Sequence, residues 1–180
     1  MKRSILPLVL GMMVIFTACN NSGTTSSNNT ADSSSNTTEQ NLAKNRSVYK
    51  AIETGDSATI RGLIADDAVD HQGPQGTEVK GGAEITHMLA DIHNHVDGLS
   101  FDVVSDAAKD DYVFAMVDMK GTTKDNLWGM PAGTKLDGRS VDVIKVKDGK
   151  MVEHWGFIDP KDMMKQMQSA KPMDTTKMKK

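Results

Sequence analysis

The chain has 180 residues, one cysteine and a formal net charge of −3, which fits one compact domain and argues against a nucleic-acid partner, since such a partner favours a basic stripe. Its 38% hydrophobic and 25% charged content is ordinary for a soluble fold, but aromatic residues make up only 4% and 13 methionines take over part of the apolar filling. Methionine adapts to irregular space, so it suits the wall of a cavity as well as a core.

Residues 1–18 read as a secretion signal: Lys2 and Arg3 precede an apolar run, and Thr17-Ala18 are small. The sole cysteine follows at once as Cys19, and Phe16-Thr17-Ala18-Cys19 resembles the lipobox of bacterial lipoproteins, in which the cysteine is lipidated after cleavage. Residues 19–40 are mostly Ser, Asn and Thr and are expected to form a disordered tether. These parts predict a lipid-anchored protein of the bacterial cell envelope, periplasmic or at the outer membrane. A single cysteine at that position also leaves the domain without a disulfide or a thiolate nucleophile.

The folded domain is expected over residues 41–168, followed by a flexible Lys/Met tail at 169–180. Leu42, Val48, Tyr49 and Ile52 fit one face of a helix starting near residue 39 and ending at Gly55. Asp56 is the natural N-cap of a short second helix over 57–64. A short strand at 68–72 and a Gly-Pro-Gln-Gly loop follow. Residues 81–96 form the strongest helix, with Ile85, Met88, Leu89, Ile92 and Val96 in one apolar stripe. Strands are predicted at 99–108, 112–120, 136–147 and 151–158, with a loop at 126–134 and a closing helix at 161–168. Helices first and an antiparallel meander second give an α+β architecture.

Asp148-Gly149 predicts a two-residue type I′ turn. That turn would pair Val146 with Met151, Ile144 with Glu153, Asp142 with Trp155 and Ser140 with Phe157, all on one face. A carboxylate among apolar groups is costly unless it is partnered or protonated, so Asp142 stands out as an acid/base candidate. It could equally be an acid satisfied by a backbone amide or by Arg139. Glu153 would lie diagonally from it, about 7 Å away at Cβ, as a second acid or as a rim carboxylate. His71, at a strand end before a glycine-rich loop, is a second catalytic candidate. Ile144, Trp155 and Trp128 complete the ligand-binding candidates, whereas His154 falls on the face away from Asp142. His93 and His95 stand about 200° apart on a helix and cannot converge on one metal ion, and no dinucleotide or phosphate loop is present. Neither a metal nor a cofactor is expected.

The chain resembles the SnoaL-like polyketide cyclase family of the NTF2-like fold. The resemblance lies in Val69-Asp70-His71-Gln72-Gly73-Pro74, the helix from Gly81, Lys120-Gly121-Thr122, Gly129-Met130-Pro131 with Gly133-Thr134-Lys135, and above all the hairpin from Asp142 to Trp155. It implies a cone in which a curved antiparallel sheet and N-terminal helices enclose a pocket for a small, mostly apolar molecule, with a homodimer formed through the sheet. It also implies that Asp142 occupies the place of the acid/base used by family cyclases, which close rings without a cofactor. Many members carry a histidine after the Gly-Thr of the central strand, where this chain has Thr123. A binding protein without catalysis is the alternative on the same fold.

Overall fold

The computed structural model describes residues 28–169. The segment proposed as signal peptide, Cys19 and the tail from 170 onward lie outside the described residues. Helix α1 runs over Asn28–Thr54, α2 over Ser57–Leu63 and α3 over Gly82–His95, with α4 closing the chain at Pro160–Ser169. Six strands, β1 (Ile64–Asp70), β2 (Val79–Lys80), β3 (Val96–Lys109), β4 (Tyr112–Thr123), β5 (Lys135–Lys147) and β6 (Lys150–Ile158), form one curved sheet in the order β2-β1-β6-β5-β4-β3.

Helix α1 begins at Asn28 rather than near residue 39, so residues 28–40 are helical where the sequence predicts a disordered tether. The physical reason is helical cooperativity. Once Leu42, Tyr49 and Ile52 are buried, each added upstream residue gains a hydrogen bond without a new nucleation step. Gly55 then breaks the helix at φ 70°, and Asp56 caps α2 by accepting a hydrogen bond from the Thr59 amide at 3.1 Å.

The meander β3-β4-β5-β6 is antiparallel, as predicted, and β1 adds to β6 in parallel. That exception to an antiparallel sheet follows from connectivity. The chain between β1 and β6 crosses over through α3 and four strands, which leaves it free to return in either sense. Along β4 the alternation is clean: Val113, Ala115 and Val117 are buried on the inner face, while Phe114 and Met116 stand exposed on the outer one. Ile52, Ile60, Ile64, Ile85 and Ile92 form the core between the helices and the inner sheet face.

The β5–β6 hairpin corrects the predicted register. Asp148 and Gly149 have φ of 52° and 72°, as a type I′ turn requires, and Val146 does pair with Met151. One residue later, β6 bulges: Lys145 pairs with Glu153, Ile144 with His154, Val143 with Trp155 and Asp142 with Gly156. The extra residue moves every later β6 side chain to the opposite face. Glu153, Trp155 and Phe157 therefore leave the face of Asp142, and His154 joins it.

Candidate functional site

A cavity of about 580 Å³ opens between α1, α3 and the inner face of the sheet. Ile52, Leu89, Ile92, Phe101 and Ile144 make much of its wall apolar, and Met88, Met119, Met130 and Met151 fill the irregular gaps between them. Asp142 lies on this wall, only 8% exposed. Its partner is Tyr49 of α1, whose hydroxyl donates to Asp142 Oδ2 at 2.7 Å. Burial, and next the charge and hydrogen bond of Asp142, push the Tyr49 phenol far above its ordinary value, so it remains a donor. Arg139, the alternative partner from sequence, instead clamps Asp118 at 2.6 Å.

A second pair stands on the same wall. Nδ1 of His154 lies 3.0 Å from Oδ2 of the fully buried Asp70, whose Oδ1 accepts the Gln72 amide at 2.8 Å. Burial works against the His154 imidazolium, but the hydrogen bond and charge of Asp70, with the charge of Asp142 adding, raise its pKa above the ordinary 6.5. Gly156, directly opposite Asp142, has a defined purpose: a Cβ there would fall 1.6 Å from Gln72 Oε1, so the missing side chain makes room for that amide.

Ile144 lies buried in the cavity wall, and Trp128 stands at its rim, 42% exposed in the loop between β4 and β5. Glu153 and Trp155 do not line the cavity. Glu153 pairs with Lys145 at 2.9 Å on the outer face. His71 borders the cavity, but its ring is engaged elsewhere: Nδ1 meets Glu78 at 2.9 Å, Nε2 meets Glu153 at 3.3 Å, and the ring stacks on Trp155 at 4.8 Å. The sequence-derived set thus splits between two faces of the sheet. Asp142, Ile144 and Trp128 belong to the cavity, and Glu153, Trp155 and the His71 ring form a separate outer cluster.

Sequence reasoning missed Tyr49 as a polar group, and it missed Asp70 and His154. Tyr49 carried a usable signal, because a tyrosine on the inward face of a helix needs a partner for its hydroxyl. His154 carried none, since its face depends on the bulge. Thr123, which stands where many family members have a histidine, is also accounted for. It donates to Pro131 O at 2.6 Å and accepts the Thr134 amide at 2.9 Å, tying down both ends of the turn at 131–134.

The sequence profile of the SnoaL-like polyketide cyclase family matches residues 43–167, from the middle of α1 into α4. The chain belongs to the SnoaL-like polyketide cyclase family. Solved structures of similar fold include IdmH from Streptomyces antibioticus, which is 25% identical with a TM-score of 0.58 and covers 72% of this chain and 99% of its own. An LEH-like epoxide hydrolase from M. tuberculosis is 16% identical with a TM-score of 0.60, covering 74% of this chain and 92% of its own. A SnoaL-like polyketide cyclase from Agrobacterium tumefaciens is 12% identical with a TM-score of 0.59, covering 71% and 97% respectively. No curated protein matches the chain. The α+β SnoaL-like fold with its open, curved sheet is therefore common to proteins of differing chemistry, and function rests on the cavity.

Proposed function

We propose that this SnoaL-like domain binds a small, mostly apolar carbonyl compound and that Asp142 moves a proton on it without a cofactor. The observation that carries this reading is a buried carboxylate on the wall of a largely apolar cavity. Such surroundings strengthen electrostatic interactions and exclude competing water, the conditions under which an aspartate abstracts a proton next to a carbonyl. Asp142 would take that proton and return it at a second position, as in a ring closure or isomerisation. His154, held by Asp70, adds a proton-bearing group on the same wall. The His71 ring, engaged on the outer face, has no part in this step.

The domain would work beside a bacterial membrane, tethered through a lipid on Cys19. It would pair with a second copy through the outer sheet face, where Phe114, Met116, Val141 and Phe157 expose apolar surface. Native mass spectrometry of the protein purified from its own host tests both occupancy and assembly. The reading predicts a dimer mass with a retained small apolar molecule that organic solvent releases. A monomer would overturn the pairing, and a domain that neither retains nor takes up small apolar carbonyl compounds would overturn the pocket.

A further inference from the structure

Asn45 stands on α1 one turn before Tyr49, so the two side chains share the helix face turned toward the cavity. Its Nδ2 is buried and has no hydrogen-bond partner, and it is the one such side-chain atom among the described residues. The Asn45 amide N–H lies near the Tyr49 hydroxyl oxygen and favours the phenolate, against the larger effects of burial and Asp142. It makes no hydrogen bond of full geometry there, so Nδ2 faces the Tyr49–Asp142 pair at the polar end of the cavity with its donor capacity unfilled. Three polar groups on this wall are engaged with one another or with the backbone. The Lys44 ammonium donates to Gly149 O at 3.1 Å, the Tyr49 hydroxyl donates to Asp142, and Nδ1 of His154 faces Asp70. An amide donor left unpaired in an apolar wall is unfavourable in the free protein, and a ligand atom that accepts its hydrogen bond removes that penalty.

We propose that Asn45 is the donor that seats an acceptor oxygen of the ligand beside the Tyr49–Asp142 pair, so that the cavity selects a carbonyl compound over a hydrocarbon of the same shape. This rests on the pocket proposed above and adds the group that reads the carbonyl. A site built to hydrogen-bond a ligand discriminates strongly against the analogue that lacks the polar atom, because the protein donor is then left buried and unpaired. With the oxygen on Asn45, the carbon next to the carbonyl would be turned toward Asp142.

The test uses the full-length chain and two probes, 1-indanone and indane, titrated by NMR. The wild type is expected to bind indanone about tenfold more tightly than indane. Asn45→Leu, which keeps the side-chain volume, should abolish that preference by weakening indanone about tenfold while leaving indane unchanged. The free variant should melt at the wild-type temperature or above, because the unpaired donor is gone. The Asn45 side-chain N–H resonances of the wild type should shift downfield with indanone and stay in place with indane. That readout needs no variant. Equal wild-type affinities, a preference that survives Asn45→Leu, or unmoved amide resonances would each overturn the assignment. If indane and indanone both bind without preference, the pocket stands and the role of Asn45 falls. If neither binds, both fall together.

Discussion

At the residue scale, the site is a short row of groups whose ionisation depends on one another. His154 lies beside Asp70 and within the field of Asp142, and its pKa is raised in the folded state. A raised folded value means that the ion pair stabilises the fold in full below the unfolded histidine value of about 6.5. That contribution is lost as pH rises through the higher folded value. Asp70→Asn removes the partner while keeping its shape. It should cost on the order of 3–5 kcal/mol in urea unfolding at about pH 5.5, the range for breaking a buried pair, and distinctly less at about pH 9. His95, which sits between Asp91 and Asp125, is also raised, but it is present in both proteins and cancels in the difference. A cost independent of pH would show that the Asp70–His154 contact is not an ion pair.

At the element scale, helix packing and strand register decide what reaches the cavity. Gly82 opens α3 against β1, where a Cβ would lie 2.3 Å from the Ala65 carbonyl oxygen. Backbone cannot swing aside as a side chain can, so Gly82→Ala should destabilise by about 1–3 kcal/mol. Gly62→Ala in α2, with nothing within 4 Å, should instead be neutral or gain up to about 1 kcal/mol from helix propensity. Thermal melts of the two variants would separate these effects, and equal melting temperatures would contradict the packing argument. Such local rules were legible in the sequence. The α3 stripe of Ile85 and Ile92 is buried, Asp56 caps α2, and Asp148-Gly149 makes the turn. The face of each β6 side chain was not. The alternation in Val152-Glu153-His154-Trp155 reads equally well in either register, and the bulge that chooses between them is a backbone event without a residue signature here. Asp142 and Ile144 were placed on the right wall because they lie on the regular strand, whereas Glu153, Trp155 and His154 each took the wrong face. The two residues of β2 and the parallel β1–β6 pairing depend on contacts distant in sequence, which periodicity does not report.

At the scale of the whole molecule, a cavity with an acid in its wall is joined to a proposed membrane address. Cys19→Ser separates the two. The variant should appear in the soluble fraction when cells are partitioned with detergent, and retention with the membranes would contradict lipid anchoring. The proposed anchor would only position the domain; the chemistry would rest on Asp142 itself. Exchange of the α-protons of 1-indanone in deuterated water, followed by mass spectrometry, reports proton abstraction without requiring the natural substrate. Exchange above background is expected with the wild type, and a loss of about 10²-fold or more in Asp142→Asn, with indanone binding retained. Equal exchange by the wild type and a folded Asp142→Asn protein would contradict that role of Asp142, as would bound indanone that exchanges no faster than in solution.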